Sequence, residues 1–222
     1  MSEDTAHIAA VRAEIVHVAR QLRVRGLAIG TSGNVGARLA DGRIAITPST
    51  MDYDDMTADD IVIVDADGSP SEGRRGPSSE VRIHLEVFAA RPDVRAIVHR
   101  HSPFATTWAA ARREVPAVHY VLALLVGPGR DTLRVAPYAT FGTEELARNV
   151  LATLGDDNAV LLANHGAVTV AGSLASALGR AERVEELAML ASRAEQLGGA
   201  TLLDAAELDR VRDQMARFPR QR

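Results

Sequence analysis

The chain has 222 residues, 46% of them hydrophobic and 24% charged, with a formal charge of −4, seven histidines and no cysteine. This ordinary globular composition excludes a disordered chain, and the length fits one large domain. The mild acidity argues against a general affinity for nucleic acid. Without cysteine there is no disulfide, no thiolate nucleophile and no Cys-type zinc site, so any metal must be held by nitrogen and oxygen.

The N-terminus carries acids where a signal peptide would be basic, and no run approaches the ~18 apolar residues of a membrane span, so a cytoplasmic location is expected. In chain order, Ile8, Val11, Ile15, Val18 and Leu22 recur at helical spacing, and Gly26 ends that helix. A glycine-dotted loop, residues 30–36, follows. The β-branched runs 43–47 and 61–64, bounded by Asp-Gly turns, predict strands. Residues 68–77 are rich in Gly, Ser, Pro and Arg and predict a loop. Ser78 and Ser79 open a second helix to about Ala90, and Val94–Val98 is a strand running into His99. A helix over about 102–112, a mixed segment at 118–126, a strand over 132–136 and a Thr143-capped helix to about 154 come next. Two strands then flank Asn164-His165-Gly166, and the stripe from Leu174 to Ala191 marks a long last helix. The expected fold is a single α/β domain with a mixed, largely antiparallel sheet flanked by helices, its tail from about 205 mobile.

His99 and His101 lie two apart at a strand end, so both side chains face one way while Arg100 faces the other. Two imidazoles on one face either begin a zinc site or are surface or structural histidines. His165, also at a strand end on a glycine-flanked turn, is the best-placed third ligand. His7, His17, His84 and His119 read as background. Pro77-Ser78-Ser79-Glu80 leads a helix, where serines either cap the helix or hold a phosphate. Glu80 is either a first-turn acid or a general base over a metal-bound substrate. Thr31-Ser32-Gly33-Asn34 is a second anion cradle, and Thr47-Pro48-Ser49-Thr50 a third polar turn.

Taken together, Thr-Ser-Gly-Asn-Val (31–35), Ile-Thr-Pro-Ser (46–49), Pro-Ser-Ser-Glu (77–80), His-Arg-His-Ser-Pro (99–103), Pro-Ala-Val-His-Tyr (116–120), Ala-Pro-Tyr-Ala-Thr-Phe-Gly-Thr (136–143) and Asn-His-Gly (164–166) resemble the class II aldolase/adducin family, its fuculose-phosphate aldolase branch in particular. The resemblance runs from about residue 8 to about 200. It implies a nine-stranded-type mixed sheet, a homotetramer, and one Zn2+ per subunit held by His99, His101 and His165, with Glu80 as catalytic carboxylate and resting ligand. It also implies phosphate binding by Gly33, Asn34, Ser49, Ser78 and Ser79, beside Thr31 and Thr50 of the same turns. Tyr120 would be a proton donor reaching a neighbouring subunit's site, and Phe141 would line the aldehyde pocket. The implied reaction is cleavage of a ketose 1-phosphate to dihydroxyacetone phosphate and an aldehyde through an enediolate. The chain has no lysine, all 25 basic residues being arginine, so no imine-forming route is open.

Three positions depart from the family pattern. Thr50 stands where glycine is common, Arg100 stands where a small polar residue is usual, and the tail has Phe218 but no tyrosine or tryptophan. The alternatives are a 4-epimerase, a dehydratase or decarboxylase of the same family, or an adducin-like scaffold. Glu80 in place of aspartate and the missing late tyrosine disfavour the epimerase. The intact histidines and Glu80 disfavour the scaffold.

Overall fold

The computed structural model describes residues 3–218. Helix α1 (Glu3–Val24) leads into strands β1 (Asn34–Arg38), β2 (Ile44–Ile46), β3 (Val62–Val64) and β4 (Pro70–Glu72). Helix α2 (Val81–Ala90), strand β5 (Ala96–Arg100) and helix α3 (Pro103–Ala110) follow. Three two-residue strands come next, β6 (Val115–Pro116), β7 (Thr132–Leu133) and β8 (Val135–Ala136), with a 3-10 turn at Tyr120–Leu124 after β6. Helix α4 (Glu144–Leu154), the hairpin β9 (Ala159–Leu162) and β10 (Gly166–Ala171), and helices α5 (Leu174–Gln196) and α6 (Ala205–Arg217) complete the chain.

Eight strands form one sheet in the order β4-β3-β2-β1-β5-β10-β9-β8, and β6 pairs with β7 apart from it. Every pairing is antiparallel except β8 with β9, so the sheet is mixed and largely antiparallel as expected, but it has eight strands rather than nine. The period of two then sorts side chains between layers. Ala45, Ile63, Ala96 and Val98 pack with α1 and the start of α5 on one face. Ile44, Ile46, Val62, Val64 and Ile97 pack with α2 and α4 on the other. A third cluster joins α3, α5 and the 3-10 turn around Trp108, Leu122 and Leu187. Among the described residues no helix is long and apolar enough to cross a membrane.

Several local readings shift. The glycine-rich loop gives way to β1 at Asn34, because Gly36 sits inside the strand opposite Ile97 and Ile46. The polar stretch 68–77 contains the short edge strand β4, all three residues exposed, where solvated residues suffice. The run 132–136 is two strands, since Leu133 pairs with Val115 while Val135 pairs with Leu161 in the main sheet. Helix α2 starts one turn later than expected, with Glu80 at its N-cap position and both serines upstream. Helix α5 is not the last. Asp204 caps α6 by accepting from the Glu207 N–H at 2.7 Å, and Leu208 is buried against the 3-10 turn.

Candidate metal centre

Strand β5 lies in mid-sheet between β1 and β10, so its C-terminal end lies beside the starts of its two antiparallel neighbours. His99 is the partner of Asn34 on one side and Val168 on the other, and it is fully buried. Its Nδ1 lies 3.1 Å from the Ala167 carbonyl, which accepts the Nδ1 proton and leaves the Nε2 lone pair bare. The alternation expected for this strand holds. Arg100 faces the opposite layer, where Nη2 donates to the Ala181 carbonyl of α5 at 2.9 Å. Burial pushes its guanidinium down to about 10, against the opposing pull of Glu185.

His165 comes from the β9–β10 turn. Asn164 takes the left-handed conformation there, at φ 54°, and Arg112 Nε donates to its side-chain oxygen at 2.9 Å. Gly166 is required by close approach. A Cβ there would lie 2.4 Å from the Arg100 carbonyl oxygen and 2.7 Å from His101 Cδ2. His99, His101 and His165 thereby form a threefold set, each pair of ring centroids 4.8 Å apart and tilted by 72–74°. The Nε2 atoms of His99 and His101 are 3.0 Å apart, close to the ~3.3 Å expected of two nitrogens on one tetrahedral zinc.

Glu80 completes the group. Oε2 is 3.1 Å from His99 Nε2, and Oε1 is 3.2 Å from His165 Nε2 with no hydrogen-bond donor of its own. One ligand atom from each of the four residues falls within 4.8 Å of the others, a set of three nitrogens and one oxygen that can hold a metal ion. Burial disfavours a charged Glu80, but positive charge at the facing His99 and His165 Nε2 atoms, a proton or a cation in its place, outweighs it and holds the carboxyl well below the usual range. His101 is pushed down to about 3 by burial and by the two other imidazoles, so it presents a free lone pair.

A cavity of about 290 Å³ opens onto this group. Its wall includes Thr31, Gly33, Asn34, Ser49, Thr50, Ser78, Ser79 and Phe141, so every expected substrate-binding residue is brought to one place. Tyr120 is not part of that wall; it stands half exposed on the 3-10 turn with its ring 4.5 Å from that of His119. Ser78 Oγ accepts from the Glu80 N–H at 3.3 Å, a local turn bond just before α2, while the serine faces the cavity. Thr50 adopts φ 51°, the left-handed region, which glycine enters without the Cβ penalty that threonine meets.

Two residues differ from their sequence reading. The side chain of Asn34 is buried and committed, donating from Nδ2 to Glu80 Oε2 at 3.1 Å. His84, read as background, is fully buried with Nε2 2.6 Å from Asn34 Oδ1. A sequence signal was present, since His84 lies one helical turn after Glu80 and so shares its side of α2.

The model of the Class II Aldolase and Adducin N-terminal domain matches residues 13–192. The chain is 42% identical over 202 residues to the 5-methylthioribulose-1-phosphate/5-deoxyribulose-1-phosphate aldolase of Rhodospirillum rubrum, an alignment covering 91% of this chain and 89% of that one. It is 39% identical over 177 residues to the L-fuculose phosphate aldolase of Escherichia coli K12, covering 80% of each. Among solved structures, an L-fuculose 1-phosphate aldolase superposes with a TM-score of 0.89 at 35% identity, covering 97% of this chain and 98% of that one.

Two predictions follow from the local geometry. Thr50→Gly removes left-handed strain of ~1–3 kcal/mol at the cost of extra freedom in the unfolded chain. A net gain of about 1 kcal/mol should raise Tm by ~2–4 °C in calorimetry. Burial pushes His84 down to about 3, so the folded protein keeps it neutral while the unfolded chain protonates it near 6.5. The unfolded state therefore binds the extra proton between these values. Stability should fall as pH drops from about 6.5 toward 3, by up to ~1.4 kcal/mol per unit from this group. Denaturant titrations across that range should give a shallower slope for His84→Gln.

With the family model spanning most of its length and four side chains that could hold a metal gathered where one cavity opens, the chain belongs to the class II aldolase and adducin family and is a class II, metal-dependent aldehyde-lyase.

Proposed function

We propose that the chain cleaves a ketose 1-phosphate, L-fuculose 1-phosphate or a terminal-deoxy pentulose 1-phosphate, to dihydroxyacetone phosphate and an aldehyde. The carrying observation is the Glu80, His99, His101 and His165 cluster opening on a cavity walled by three polar turns. The all-nitrogen-and-oxygen donor set fits Zn2+, held by His99, His101 and His165 with Glu80 as the fourth ligand at rest. When bound, the cation supplies Lewis acidity for the negative charge that develops on the ketose oxygen.

The remaining work falls to the chain. Thr31, Gly33, Ser49, Thr50, Ser78 and Ser79 give hydroxyls and backbone N–H groups to the phosphate, beside the first turn of α2, where the helix dipole favours an anion. Asn34 belongs to the same wall, but its amide serves Glu80. Glu80 returns a proton to carbon in the cleavage direction and removes it in condensation. Its charge at ordinary pH, maintained by positive charge held at His99 and His165, suits it to the second role. Tyr120 would give a proton to the aldehyde oxygen in condensation. Its half-exposed position outside its own chain's cavity supports service in a neighbouring subunit's site, within the homotetramer that the family resemblance implies.

The aldehyde end is apolar. Tyr138, Ala139 and Phe141 line the cavity, and Tyr138 and Phe141 remain largely exposed. Such a wall suits a terminal methyl or thioether group better than a hydroxyl.

The test is a coupled triose-phosphate assay on protein stripped of metal and then given Zn2+. Cleavage of a ketose 1-phosphate should vanish and return with the metal, and Glu80→Gln should lower kcat by ~10²–10⁴-fold. No metal-dependent cleavage of any such sugar would overturn the reading. Shared sites predict that mixing inactive Tyr120→Phe with inactive Glu80→Gln restores part of the activity. Mixtures that stay inactive after verified subunit exchange would refute the sharing.

A further inference from the structure

A line of three buried side chains runs from the metal group into the layer beneath α2. Glu80 Oε2 receives Asn34 Nδ2 at 3.1 Å, and Asn34 Oδ1 lies 2.6 Å from His84 Nε2. The polarity of this line is fixed by its first member. An ionised carboxylate only accepts, so the amide must turn its NH2 toward Glu80 and its oxygen toward His84. An amide oxygen only accepts in turn, so His84 must carry its proton on Nε2. The other nitrogen, Nδ1, has no hydrogen-bond partner and is buried. A bare acceptor is the cheaper group to leave unpaired there, which agrees with the same tautomer.

The ring is clamped in place. A Cβ at Gly36 would lie 2.5 Å from His84 Nδ1 and 2.9 Å from Cε1, so the imidazole occupies the space that the glycine leaves on β1. The Phe88 ring lies one turn further along α2, its centroid 6.1 Å away. His84 is itself part of neither the cavity wall nor the metal group, and no part of the aldol chemistry uses it.

We propose that His84 is a positioning residue, whose Nε2–H fixes the orientation of the Asn34 amide so that its NH2 holds and aims the Glu80 carboxylate. This rests on the reading of Glu80 as the proton-transferring group. With His84 replaced by an apolar residue, Asn34 Oδ1 is left buried without a donor. The amide then gains by turning over, and Glu80 Oε2 faces an oxygen in place of an N–H. A carboxylate aimed wrongly slows proton transfer more than it weakens sugar binding, because the phosphate contacts are made by other residues.

The test has an arm that needs neither metal nor substrate. In 15N NMR of the metal-free wild type, His84 should show a protonated Nε2 and a bare Nδ1, and the Asn34 side-chain amide should exchange slowly with solvent. A protonated Nδ1, or a rapidly exchanging Asn34 amide, overturns the proposal. In the second arm, His84→Leu should lower kcat by ~10–100-fold with KM changed less than about twofold. His84→Gln, which keeps an N–H near the Nε2 position, should recover most of that loss. Adding Asn34→Ala to His84→Leu should cost little beyond Asn34→Ala alone. A His84→Leu variant with wild-type kcat, or a loss that glutamine fails to recover, overturns the proposal. If the wild type cleaves no ketose 1-phosphate, the aldolase reading fails by itself, and the NMR arm still decides whether His84 fixes Asn34.

Discussion

The site depends on one costly arrangement: a carboxylate buried among three imidazoles whose lone pairs converge. Taking such a charge out of water costs several kcal/mol unless it is matched by close donors and opposite charge. Here Asn34 supplies one N–H, and the buried Oε1 has no donor. Facing nitrogens 3.0 Å apart likewise repel unless a proton or a cation lies between them. Both frustrations have one remedy, a shared cation, and the cavity opens where the substrate can reach it.

Much of the rest of the fold delivers these four side chains to one point. Strand β5 reaches mid-sheet with the histidines at its end, the β9–β10 turn brings His165 over them, and Glu80 arrives at the start of α2. The alternation that sends His99 toward the site sends Arg100 into the layer of α5, where its bond to the Ala181 carbonyl ties the metal-bearing strand to that helix. An arginine between two ligands is therefore accommodated by the strand period.

The three histidines were legible because their signal is local. Two stand at a period-two spacing at a strand end, and the third sits on a turn announced by Asn and Gly. The cavity-lining polar turns were legible for the same reason. The role of Asn34 and His84 was not, because it depends on the register that sets β1 beside β5 and against α2. Asn34 read as part of a glycine-rich loop, since Gly33 and Gly36 mask a strand that has little β propensity of its own. The run 132–136 read as one strand because no local signal marks its transfer from the small sheet to the main one. The positive φ of Thr50 was visible only as a missing glycine and needed the backbone angle to explain it.

The threefold histidine set also bears on how the protein holds together. Counted with Glu80, the four candidate ligands come from the start of one helix, the end of a central strand and the turn of a distant hairpin, so a cation bound there would cross-link segments far apart in the chain. Such a ligand binds the folded state and barely recognises the unfolded one, so it adds stability as RT ln(1 + [L]/Kd). With a cation held by this group, resistance to unfolding would depend partly on the free-metal concentration, and catalytic competence and fold integrity would fade together as that concentration falls.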